Sequence, residues 1–146
     1  TILVFQVWFL VSGKEDAMDE DRLTPQLGRL IDQAKAAALR ADPTAPRAEG
    51  VALLGGDGRV YVGYPGAEPA RPSAAAAEPA LASAKCSGCD EILAAAVAVA
   101  GESAETLLPS PESHQVLAGI DPDLPLVVKY QGRWVMLPLS RFASPE

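Results

Sequence analysis

The chain has 146 residues, of which 49% are apolar and only 5% aromatic, and its formal net charge is -7 at neutral pH. That length and apolar content suit one globular core rather than a disordered chain. The acidic balance argues against nucleic acid and against an anionic membrane surface as partners, because both are held by clustered Lys and Arg.

Residues 1–17 form an apolar N-terminal extension that begins Thr1-Ile-Leu-Val-Phe-Gln-Val-Trp-Phe-Leu-Val-Ser12. The run falls short of the roughly 20 residues a membrane-spanning helix needs, and no basic residue precedes it as in a secretory leader. It reads as a pairing strand, given its β-branched and aromatic content, or as sequence upstream of a natural start at Met18-Asp19-Glu20-Asp21. A single domain is expected over residues 18–146.

Leu23, Leu27, Leu30, Ile31, Ala34, Ala38 and Leu39 recur at helical spacing and predict a helix over 22–41 that Asp42-Pro43 ends. Pro43 to Glu49 reads as a loop. Val51–Leu54 and Arg59–Val62 flank Gly55-Gly56-Asp57-Gly58, which predicts a β-hairpin. Gly63 to Ser73 is a proline-containing loop. An alanine-rich helix is expected over 74–84, with Ser73 as N-cap and Pro79 tolerated in the first turn, where backbone N–H groups lack helical partners.

Ile92 to Val99 is expected to be a buried central strand. A short helix is expected from Ser110 to Leu117, then strands over Leu124–Val128 and Trp134–Leu137 that turn near Gln131-Gly132. The order α-β-β-α-β-α-β-β implies an α/β three-layer α/β/α sandwich around a mixed five-stranded sheet.

The two cysteines form one C-x-x-C, Cys86-Ser87-Gly88-Cys89. This is too few for a disulfide framework and points to a reducing cytoplasm. A thioredoxin-like pair opens a helix after a strand; this pair closes a helix before a strand, and incidental or structural thiols are the expectation. His114 beside Ser110 and Ser113 suggests a Ser–His pair, but adjacent helical residues point apart, so a surface histidine is expected. Asp121-Pro122-Asp123 and Glu102 to Glu105 read as solvated acidic loops.

Two segments carry a resemblance. Ala76-Ala77-Glu78 and Pro109-Ser110-Pro111-Glu112-Ser113-His114-Gln115-Val116-Leu117 are similar to the [His/Cys]-Ala-Glu and Pro-Cys-x-x-Cys frame of zinc deaminases. Val51 to Gly63 resembles the first hairpin of the cytidine deaminase family. Gln115-Val116-Leu117 resembles the stretch after its second motif, and Asp123 to Val128 with Leu137-Pro-Leu-Ser-Arg-Phe142 resemble its last strands. The resemblance covers about residues 22–142 and implies a cytidine deaminase-like fold.

It also implies a zinc cofactor, whose ligand positions here hold Ala76, Ser110 and Ser113. In the family, zinc lowers the pKa of its bound water from about 15.7 to about 7, which corresponds to roughly 12 kcal/mol. Alanine has no lone pair, and serine is a poor zinc ligand beside thiolate and imidazole. Glu78 stands at the proton-shuttle position as a remnant. At the family's Phe-x-Val this chain has Arg47-Ala48-Glu49. Its ribose-binding Asn-x-Glu is replaced by Tyr64-Pro-Gly-Ala-Glu68, where Glu68 substitutes for the glutamate only with a one-residue shift.

The sequence-based expectation is therefore a divergent member without zinc or catalysis, acting as a structural or regulatory protein. The partners implied are further copies, as homodimer or homotetramer, or another protein, with no nucleic acid and no membrane. Two alternatives stay open. One is an active deaminase, a hydrolase of the cytidine deaminase type, with zinc held through Glu78, His114 or the Cys86/Cys89 pair. The other is a nucleoside-binding module without chemistry.

Overall fold

The computed structural model describes residues 25–45, 47–67, 75–101 and 104–142. The expectations placed on residues 1–17, Glu68, Ser73 and Glu102 lie outside the described residues.

Helix α1 spans Pro25–Leu39 and buries Leu27, Leu30, Ile31, Ala34, Ala37 and Ala38 along one side. Strand β1, Ala48–Gly55, follows and runs into β2, Val60–Gly63. The turn between them is closed by Gly55 N–H donating to the Arg59 carbonyl at 2.8 Å. Gly58 supplies the positive φ, 84°, that such a turn demands. Helix α2 spans Ala77–Cys86, strand β3 Ile92–Ala100, and helix α3 Pro111–Ile120. Strands β4, Pro125–Tyr130, and β5, Arg133–Pro138, form a second hairpin. Its two-residue turn holds Gln131 and Gly132 at φ 52° and 83°, the left-handed pair of a type I′ turn. A short 3-10 turn, Leu139–Arg141, ends the described chain.

The sheet order is β2-β1-β3-β4-β5. β1 pairs antiparallel with β2 and β3, β3 pairs parallel with β4, and β4 pairs antiparallel with β5. The sheet is therefore mixed, as expected. β3 is buried along nearly its whole length, which explains why its sequence is a continuous apolar run rather than an alternation.

Two glycines show which helix lies on which face. A side chain at Gly50 would collide with the Ala34 carbonyl and the Ala38 amide of α1, and one at Gly63 with the Ala76 carbonyl and the Ala80 amide of α2. Gly63 is paired with Val51, so these two share a face, and Gly50 points to the other. α1 covers one side of the sheet. α2 packs on the opposite side, in contact with α3. This is the three-layer α/β sandwich. Among the described residues, no helix is long and apolar enough to cross a membrane.

Two local expectations need adjustment, and the one placed on Pro79 holds. Ala48 and Glu49 belong to β1 and not to the preceding loop. α2 begins at Ala77, so Pro79 does fall in its first turn. His114 is not a surface residue: it is 8% exposed, and α3 buries Ser113, His114 and Leu117 together. Positions 113 and 114 both lie within one turn of 117, so a helix packed beside α2 turns all three inward.

Candidate functional site

Strand parity places Glu49 on the α2/α3 face, with Val51 and Leu53. A carboxylate on that face is costly unless it is hydrogen-bonded, and Glu49 is 2% exposed. Its partners come from the start of α3. Ser113 Oγ donates to Oε1 at 2.6 Å, and Ser110 Oγ donates to the same oxygen at 3.1 Å. The Ser110 backbone N–H donates to Oε2 at 2.7 Å. Arg47 Nη1 lies 3.4 Å from Oε2 as an ion pair, and Arg47 Nη2 donates to the Leu108 carbonyl at 2.6 Å.

Ser110 is the N-cap of α3. Its backbone is extended, its hydroxyl accepts from the Ser113 N–H at 3.3 Å, and Pro111 follows at the first helical position. α2 has no such cap of its own, because Ala76 offers no side-chain acceptor. Ser113 supplies it from the neighbouring helix: its hydroxyl oxygen accepts the Ala77 N–H at 3.2 Å. Ser113 is fully buried. One hydroxyl thus accepts a hydrogen bond from α2 and donates one to β1, while its backbone belongs to α3.

The structure therefore brings the starts of α2 and α3 together around Glu49, with Ala76, Ser110 and Ser113 at the junction. Glu78 lies in the first turn of α2, where a negative charge suits the helix dipole, and its Oε2 is closed off from solvent. Cys86 is the last residue of the same helix. Eight residues of helix separate it from Glu78 by roughly 12 Å, so the Cys86/Cys89 pair stands at the other end. Cys89 faces a groove of about 670 Å3 that is also lined by Leu81, Lys85, Ile92, Val116 and Ile120. Among the described residues, no three His, Cys, Asp or Glu side chains gather as a metal-holding group.

Glu49 is the site residue that sequence reasoning missed. The available signal was its parity with Val51 and Leu53, which marks a charged residue on a buried face.

A sandwich of this topology, with two helix N-termini meeting over the sheet, is cytidine deaminase-like. The structure is similar to the crystal structure of cytidine deaminase from Burkholderia pseudomallei, with 26% sequence identity and a TM-score of 0.62 over 82% of this chain and 95% of that chain. No protein-family model and no curated protein sequence matches the chain.

Proposed function

We propose that this chain is a cytidine deaminase-like protein that binds no zinc and carries out no deamination, and that it acts in the cytoplasm as a structural or regulatory protein, alone in an oligomer or with another protein. The observation that supports this reading is the state of Ser110 and Ser113. Both hydroxyls donate to the Glu49 carboxylate, and Ser113 Oγ also accepts from Ala77 N–H.

The donor set does not fit zinc. At the three positions that the resemblance assigns to ligands, Ala76 has no lone pair. The serines are weak ligands and already serve a carboxylate and two helix ends. Glu78 by itself has nothing to lower the pKa of a water to the neutral range, a task that takes a metal in this chemistry. The Cys86/Cys89 pair is held away by the length of α2. What the junction does support is cohesion: α3 is tied to β1 by hydrogen bonds to one charge, which are worth more than neutral ones, and α2 joins through Ser113 Oγ.

Elemental analysis of the purified protein, together with an ultraviolet assay of cytidine deamination, tests the reading. The expected result is substoichiometric zinc and no turnover, also after incubation with zinc. Stoichiometric zinc with turnover would overturn it. Light scattering after size exclusion tests the partner expectation, with a dimer or tetramer as the expected species.

A further inference from the structure

We propose that the junction of β1, α2 and α3 is a carboxylate-binding site whose resident ligand is the chain's own Glu49. The assignment rests on the hydrogen bonds alone. It deepens the non-catalytic reading but does not need it, since a cradle for a carboxylate exists whether or not deamination occurs.

The donors form a set suited to a planar anion with two oxygens. Ser110 N–H and Arg47 Nη1 address Oε2, and the hydroxyls of Ser110 and Ser113 address Oε1. Each donor is held by something other than Glu49. The Ser110 amide belongs to the N-cap of the ten-residue helix α3, where unpaired N–H groups and the helix dipole favour an anion. The Ser113 hydroxyl is fixed by Ala77 N–H, and Arg47 by the Leu108 carbonyl. Ser113 is fully buried and Glu49 nearly so, so the anion sits out of bulk water, where charge-assisted hydrogen bonds are strong. Because these anchors do not depend on the glutamate, the cradle survives its removal. A free monocarboxylate then takes its place.

Glu49→Ala keeps Cβ and removes two carbons and both oxygens, which is the shape of acetate. The experiment measures Tm for the parent protein, Glu49→Ala and Glu49→Ala/Ser113→Ala, in sodium acetate, sodium formate and sodium chloride of equal ionic strength at neutral pH. The expected result is a saturable rise in Tm for Glu49→Ala in acetate and formate over chloride, as mass action requires of a ligand that binds the folded state. The parent protein, with its site filled, should not respond, and the double variant should lose most of the rise. An acetate effect on Glu49→Ala no larger than that of chloride overturns the proposal. So does a response in the double variant equal to that of the single one. If Glu49→Ala does not stay folded in chloride, refolding from urea is read instead. Recovery of the folded far-ultraviolet signal in acetate but not in chloride supports the proposal, and recovery in neither overturns it. These readouts involve neither zinc nor cytidine, so their failure is distinct from failure of the non-catalytic reading.

Discussion

Ser113 Oγ donates a 2.6 Å hydrogen bond to Glu49 Oε1 across 64 positions of sequence. This one contact joins the start of α3 to the start of β1, on the sheet face that α2 and α3 cover. Because the same hydroxyl accepts the Ala77 N–H, the helix that lacks its own cap is capped only if α3 is seated. The packing of α2 and that of α3 are thus coupled through Ser113, and Glu49 adds β1 to the same cluster.

Ser113→Ala should destabilise the fold by about 2–3 kcal/mol. It removes a bond to a buried charge and leaves the Ala77 N–H without its acceptor, and each loss costs on the order of 1–3 kcal/mol. Ser110→Ala should cost less, about 0.5–2 kcal/mol, the range for losing an N-cap side chain, because Ser110 is half-buried and its backbone N–H still serves Glu49. Urea denaturation of both variants checks the order. Equal and small losses would show that the cluster contributes little.

The glycines give a contrast of opposite sign. Gly63→Ala would drive a methyl group into the backbone of α2 at Ala76 and Ala80, neither of which can rotate away. A loss of about 2–3 kcal/mol is expected, the upper part of the range for overpacking. Gly28 lies inside α1 with nothing near its would-be Cβ. Gly28→Ala should therefore stabilise by about 0.5–1 kcal/mol, the helix penalty of glycine relative to alanine. Thermal or urea unfolding of the two variants should move in opposite directions.

The strands are legible in the sequence because each is an apolar run bounded by Gly, Pro or Asp, and the two hairpin turns carry the glycines that their backbones need. Pro79 is legible as a first-turn residue for the same local reason. The site is less legible because its logic is not local. Glu49 reads as the end of a polar loop until β1 is extended back to Ala48, and its partners are 61 and 64 positions away. His114 has the same difficulty: its own helix is too short and polar to announce which side is inward, and burial is decided by α2 and the sheet. The resemblance points to Ala76, Ser110 and Ser113 as a group. It does not reveal that a residue of β1 would bond both serines.

The two thiols should react unequally. Cys86 is exposed, whereas Cys89 is half-buried and donates to the Glu91 carbonyl at 3.3 Å. Its sulfur also lies 2.7 Å from where a Cβ on Gly55 would be. An aromatic disulfide reagent should label Cys86 first, with Cys89 following at least several-fold more slowly, because reaction needs access to the sulfur. Cys86→Ser should remove the fast phase and leave the slow one. Equal rates in the native protein would mean that the Cys89 wall of the α2/α3 groove opens readily.

The turn of the first hairpin should give the protein a signature in alkaline titration. Tyr61 Oη donates to Asp57 Oδ2 at 2.5 Å, and Asp57 Oδ1 accepts the Arg59 N–H at 3.0 Å. The bond to Asp57, reinforced by burial, pushes the Tyr61 phenol up to about 12, while the same bond, followed by the Arg59 amide, lowers Asp57 below the usual carboxylate range. For Tyr61 the folded value is raised, so its stabilisation is complete below about pH 10, the unfolded value, and is lost as pH climbs through about 12. For Asp57 the folded value is depressed, so its contribution is present above about pH 3.9 and is lost as pH falls through the lower folded value. Tyrosinate absorbance at 295 nm should therefore show a late-titrating phenol in the native protein. Tyr61→Phe should abolish that late phase, and Asp57→Asn should bring it back toward 10. If the late phase persists in Tyr61→Phe, it belongs to another tyrosine, and the Tyr61–Asp57 bond is not what holds the turn at high pH.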